Sequence, residues 1–275
     1  MANIKWKPII EHAARIVRSY ETGVTLRQLF YRLVAQLLLP NVDTYYRRLS
    51  SVTAEARRDG EFPDLLDLTS RIQRHITFDS PADAHRLIRN LYRRDRTEGQ
   101  EWSVYLGVEK AGMAAQLDAW FGDPFGFPII ALGGYASQSL VDKVGRDIVD
   151  GDRPAVLIYA GDHDPTGIDI DRDFEARVGE FDKVIRVALS TEQVAQYGLP
   201  HNSDPKVLKK LANDPRAAAF ERRHGSLVQY ELDALDPAQL RDLYRNAIDG
   251  FHDTDAYADV MAEEAAERDE VAGWA

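Results

Sequence analysis

The sequence contains no cysteine. A disulfide framework, a thiolate metal site and a cysteine nucleophile are therefore excluded. Nor does any apolar run approach the ~18 residues that a membrane-spanning helix requires. The opening stretch MANIKWKPIIEHAARIV has neither the long apolar core nor the small-residue cleavage site of a secretory signal. A cytoplasmic protein without a membrane span is expected. What remains is an ordinary globular composition, 44% hydrophobic and 29% charged, over 275 residues. That length suits one large domain or two modest ones.

Net charge is −11, unevenly placed. Residues 1–100 carry 17 Lys/Arg against 12 Asp/Glu, residues 101–250 carry 16 against 25, and the last 25 carry 1 against 8. A basic first third joined to an acidic remainder is consistent with a metal-dependent enzyme that acts on a polyanion.

The pattern changes near residue 100. Before it, helical periodicity dominates: a first helix from about Ile4 to Tyr20, a second capped by Thr25, and a third in DTYYRRLSSVTAEARRDG ending near Gly60. EFPDLLDL (61–68) is expected as a small wing, which gives a winged helix-turn-helix over residues 1–78. A charged connecting helix and linker follow over 79–100. From Trp102, the apolar runs WSVYLGV, FPIIAL, PAVLIYA and KVIRVAL alternate with helical segments. Such alternation predicts a parallel sheet covered by helices over 101–250. Residues 251–275 read as an acidic tail. The fold class is α/β plus α.

The chemistry concentrates where an apolar strand meets acid, in VLIYAGDHDPTGIDIDRDF. Ligand sites of parallel sheets lie at the carboxyl ends of strands. Asp162 and Asp164 leave the strand as D-x-D, so a divalent cation would offset their repulsion. Asp169, Asp171 and Asp173 fall in a helix start, where solvated acids meet the helix dipole favourably. An EF-hand loop also fits this spacing, but a strand precedes it and the last position is Asp. DHDPT followed by ALST is compatible with a haloacid-dehalogenase-like phosphatase, although no later acid pair completes that site. Glu109, directly after the first strand, supplies a third carboxylate. A strand-end Glu with a later D-x-D resembles the Toprim domain of topoisomerases, primases and related nucleases.

In the basic module, Leu26, Leu29, Phe30, Leu33 and Leu37 share one face of the second helix, while Arg27 and Tyr31 stack one turn apart on another flank. TLRQLFYRL resembles the catalytic-tyrosine motif T-x-R-x-x-[FY]-Y of the topoisomerase VI A subunit and the related meiotic double-strand-break protein. GDHDPTGI resembles the D-x-D-P-x-G of the same family, and LGGYAS, QYGLP and ELDAL are weaker echoes. The order of motifs and the chain length are most similar to the compact Mini-A relatives.

The resemblance implies a winged helix followed by a Toprim domain, and a Mg²⁺-dependent DNA-breaking transesterase. Tyr31 would be the nucleophile, Arg27 the phosphate partner that also favours the ionised phenol, and Glu109, Asp162 and Asp164 the Mg²⁺ ligands. It further implies a homodimer on double-stranded DNA, in which one protomer's tyrosine works with its partner's metal site. No P-loop is present, so any ATPase would be a separate subunit. Arg47, Arg48, Arg57 and Arg58 on the third helix are candidate phosphate contacts. A non-covalent Toprim nuclease or a DNA-end-binding accessory protein is the alternative.

Overall fold

The computed structural model describes residues 4–67 and 75–273. Three helices open the chain: α1 (Trp6–Ser19), α2 (Leu26–Ala35) and α3 (Asp43–Arg58). They close on a core of their own, with Leu29, Leu33 and Leu49 fully buried beside Val24, Phe30 and Phe62. Leu37 departs from the expected apolar stripe. It lies past the end of α2 with a left-handed backbone (φ 58°) and is 86% exposed. Residues 61–67 contain no strand. They run back along the start of α2, where the Leu66 amide donates to the Val24 carbonyl at 2.8 Å. Leu68, the last residue of the expected wing, lies outside the described residues.

Helix α4 (Pro81–Leu91) begins the connection, capped by Ser80. The sheet follows: β1 (Ser103–Val108), β2 (Ile129–Ala131), β3 (Ala155–Ala160) and β4 (Lys183–Ala188). The order is β2-β1-β3-β4 and every pairing is parallel. All six residues of β1 and all six of β3 are buried, which explains why both read as continuous apolar runs. Val104, Leu106, Val156 and Ile158 fill the core on one face of the sheet, and Tyr105, Leu157 and Tyr159 that on the other.

The intervening helices are α5 (Ala111–Leu117), a π turn (Asp118–Gly122) continued by the short α6 (Asp123–Phe125), α7 (Gln138–Gly151) and α8 (Gly167–Val178). After β4 come α9 (Thr191–Gln196), α10 (Pro205–Ala212), α11 (Ala217–His224), a 3₁₀ turn (Leu232–Ala234), α12 (Pro237–Ile248) and α13 (Thr254–Ala272). From β1 the chain goes outward on one side to β2 and then on the other side to β3. The carboxyl ends of β1 and β3 therefore form the topological switch point where ligands of such sheets bind.

The segment expected as an acidic tail is the 19-residue helix α13. Its carboxylates are met by arginines of the connection. Arg96 donates to Glu264 at 2.7 and 3.1 Å, Arg94 pairs with Glu263 at 2.6 Å and Glu267 at 3.1 Å, and Tyr92 donates to Glu267 at 2.5 Å. Among the described residues, no helix is long and apolar enough to cross a membrane.

Candidate active site at the junction of the two modules

The position of α2 is fixed at its first turn. Thr25 Oγ1 accepts from the Gln28 amide at 3.2 Å, and Gln28 Oε1 accepts from the Thr25 amide at 2.9 Å. This reciprocal cap satisfies two otherwise orphan donors. Gln28 Nε2 also donates to the Gly112 carbonyl at 3.3 Å, which ties α2 to the first turn of α5. Arg27 and Tyr31 then stack as their spacing predicts, with the guanidinium 5.2 Å from the ring centroid.

Tyr31 is more enclosed than a boundary residue. It is 8% exposed and belongs to the helical core. Its hydroxyl donates to Glu231 Oε1 at 3.1 Å, and Arg27 Nη2 donates to Glu231 Oε2 at 3.0 Å. Glu231 precedes the 3₁₀ turn and lies some 200 residues along the chain from both. Behind it stands Lys110, at the start of α5. The Lys110 ammonium donates to Glu231 Oε2 at 2.9 Å and to Asp162 Oδ2, and it lies 3.8 Å from Glu109 Oε1. The chain Tyr31–Glu231–Lys110–Asp162 thus links the helical module to the strand-end acids within one protomer.

Two close backbone approaches shape the acid side. A Cβ at Gly161 would meet Tyr159 at 2.9 Å and Glu109 Oε2 at 3.1 Å, and one at Gly167 would meet the Asp162 carbonyl oxygen at 2.4 Å. Only glycine allows these contacts. Glu109 Oε2 accepts from the Asp162 amide at 2.9 Å, and Asp162 Oδ1 accepts from the Leu232 amide at 2.9 Å.

Asp164 is employed differently. Its Oδ1 accepts from the amides of Thr166 and Gly167 at 2.9 and 2.7 Å, and its Oδ2 accepts from Gln229 at 2.6 Å. It braces the turn that leads into α8, and its charge acts on Glu109. Asp171 also departs from a solvated helix start, because it is buried against Arg186 at 3.0 Å. Asp169 is held by Arg172 and Arg216, and Asp173 by Arg177.

The electrostatics follow from this crowding. Burial pushes the Tyr31 phenol well above its ordinary range, and Glu231 adds to the effect. Arg27 acts in the opposite direction and is outweighed by burial and Glu231 together. For Glu231, burial acts upward, yet Lys110 and Arg27 together hold the carboxyl below the usual range. Burial raises Glu109 and Asp162, and lifts Asp233 to about 6. Burial disfavours the Lys110 charge, but Asp162, Glu231 and Glu109 outweigh it and keep the ammonium protonated.

A cleft of about 670 Å³ opens between the modules, bordered by Arg27, Arg57, Glu109, Lys110, Thr166 and Asp233. Tyr31 faces a smaller cavity of about 250 Å³ on the other side of Arg27, together with Asn41, Tyr46 and Asn202. Of the third-helix arginines, only Arg57 reaches the cleft. Arg47, Arg48 and Arg58 are exposed, with Arg47 paired to Asp43 at 2.7 Å.

Among the described residues, no group of three or more His, Asp or Glu side chains is arranged as a ready metal-binding set. The donor chemistry nevertheless suits a hard cation. Among the described residues, Glu109, Asp162, Glu231 and Asp233 are paired with Lys110 and Arg27, four carboxylates to two cations. Asp233 Oδ1 is buried without a hydrogen-bond partner. Oxygen donors around excess negative charge are of the kind that suits Mg²⁺, and Glu109 and Asp162 are the two that would hold it.

Sequence reasoning named Tyr31, Arg27, Glu109 and Asp162 but missed Glu231, Asp233 and Lys110. ELDAL held two of the three in plain view, yet nothing local in it points to Tyr31. No known protein-family model matches this chain, and no curated protein matches it.

Proposed function

We propose that residues 4–67 belong to a winged-helix module, that the sheet is a Toprim domain, and that the chain is a cytoplasmic DNA-breaking transesterase similar to the topoisomerase VI A subunit. The observation that carries this reading is the polar chain from Tyr31 through Glu231 and Lys110 to Asp162. It joins a tyrosine hydroxyl to strand-end carboxylates, although the two lie in different modules. Tyr31 Oη would attack a backbone phosphate of double-stranded DNA and form a phosphotyrosyl bond. Arg27, half-exposed and bordering both cavities, would hold that phosphate with its planar fork.

Glu109 and Asp162 would hold Mg²⁺, with Asp164 joining only if it releases Gln229. When bound, the ion supplies positive charge beside the phosphate. Lys110 would keep the two carboxylates facing one another, and Arg57 would extend the cationic wall of the cleft. Arg47, Arg48 and Arg58 would meet more distant phosphates. The working species is proposed as a homodimer, served by a separate ATPase subunit if strand passage occurs.

A second reading, a non-covalent nuclease or a DNA-end-binding accessory protein, is favoured by the burial of Tyr31. Stopping a reaction on supercoiled DNA with denaturant separates the two. The expected result is DNA covalently attached to wild-type protein and none attached to Tyr31→Phe. Equal attachment by both proteins would remove Tyr31 as the nucleophile, and cleavage with no attachment at all would select the second reading.

A further inference from the structure

We infer that Glu231 is a catalytic residue, the base that takes the proton from Tyr31 when the phenol attacks phosphate. The inference rests on the proposed transesterase reading. Glu231 Oε1 is the hydrogen-bond acceptor of the reacting hydroxyl, 3.1 Å from Tyr31 Oη. Its other oxygen, Oε2, is taken by Arg27 at 3.0 Å and Lys110 at 2.9 Å. Two cations therefore fix the carboxylate in its charged form and leave one oxygen aimed at the phenol. The geometry is within reach of direct proton transfer.

The need for a base comes from the surroundings of Tyr31. A tyrosine 8% exposed and hydrogen-bonded to a carboxylate is a neutral phenol, and a neutral phenol is a poor nucleophile. Arg27 cannot accept the proton, because a guanidinium has no acceptor. Lys110 is already engaged as a donor to Asp162 and Glu231, away from the hydroxyl.

The step balances as follows. The Oη–H bond breaks and its proton passes to Glu231 Oε1, while the oxygen lone pair forms the Oη–P bond. The bond from phosphorus to the departing sugar oxygen breaks, and its electron pair leaves on that oxygen. Water relays the proton from Glu231 to the departing oxygen, so Glu231 ends as a carboxylate and the reverse path can reseal the strand.

The test compares rates of protein–DNA adduct formation on supercoiled DNA for wild type, Glu231→Gln and Glu231→Asp, each in the Tyr31 form and with Tyr31→difluorotyrosine, whose phenol is more acidic. Glu231→Gln is expected to slow adduct formation about 100-fold, a common loss for a general base. The fluorinated phenol is expected to recover most of that loss, read as a smaller ratio of the rate with Glu231 intact to the Glu231→Gln rate than in the Tyr31 form. A purely structural role would give a slow variant that fluorination does not rescue, and that result overturns the inference. So does a Glu231→Gln protein that reacts at the wild-type rate.

Should Glu231→Gln melt far below wild type, Glu231→Asp decides. It keeps the charge opposite Arg27 and Lys110 but withdraws the carboxylate from Oη, so slow, fluorination-rescued chemistry supports the inference and an unrescued loss overturns it. Wild-type protein that forms no adduct sinks the transesterase reading and this inference together. A wild-type adduct with an indifferent Glu231 sinks this inference alone.

Discussion

At the scale of single residues, the molecule tolerates buried polar groups without full partners outside the cleft as well as beside it. His252 is enclosed by Phe125, Phe127 and Tyr257, each ring centroid 5.2–5.4 Å from a neighbour in the cage. Neither of its ring nitrogens has a hydrogen-bond partner. Burial depresses its basicity, and Asp253 and Asp249 only partly oppose that effect. The folded state therefore binds the proton less well than the unfolded chain, whose histidine titrates near ~6.5. Stability from this site is fully present above that pH and is lost as pH falls toward the lower folded value. His252→Phe is expected to make the decline in melting temperature from neutral to mildly acidic pH shallower. Melting curves of both proteins across that range check it, and parallel declines would show that His252 does not contribute.

At the scale of elements, α13 is joined to the connection after α4 by a buried ion pair. Glu264 is completely buried and Arg96 nearly so. Arg96 also donates to the carbonyls of Asp123 and Pro124 at 2.8 Å. Removing one partner of such a pair leaves a buried charge unanswered, at a cost of about 3 kcal/mol or more. Glu264→Ala should lower the free energy of unfolding by that amount in a urea titration. Removal of Asp43, which meets the exposed Arg47, should cost under ~1 kcal/mol. Similar losses for the two would mean that burial does not set the value of these pairs.

This element also marks what sequence reading could reach. Strands β1 and β3 announced themselves because full burial demands unbroken apolar runs, and α2 because Thr25 and Gln28 form its cap within four residues. α13 carries few large apolar side chains, and the arginines that meet its acids lie about 170 residues earlier, which no local pattern records. Glu231 was hidden for the same reason. Asp164 was legible as a strand-end acid, but its use as the start of α8 depends on a backbone turn that a D-x-D pattern does not specify.

At the scale of the whole molecule, one chain already brings Tyr31 within two side chains of Asp162. A shared site in a homodimer would require the modules to exchange partners across a two-fold axis, which two opposed DNA strands would favour. If the modules exchange in that way, mixing inactive Tyr31→Phe with inactive Glu109→Ala restores single-strand nicking, once tagged chains have shown that subunits exchange. Mixed dimers that stay inactive would leave each chain with the self-contained arrangement.

The docking of α13 has a consequence for anyone who shortens the chain. Along this helix, Glu263, Glu264, Glu267 and Asp269 meet Arg94, Arg96 and Arg89. A protein truncated before Thr254 would bare those arginines. Having lost seven acidic residues and one arginine, it should bind a cation-exchange resin more strongly than the full chain.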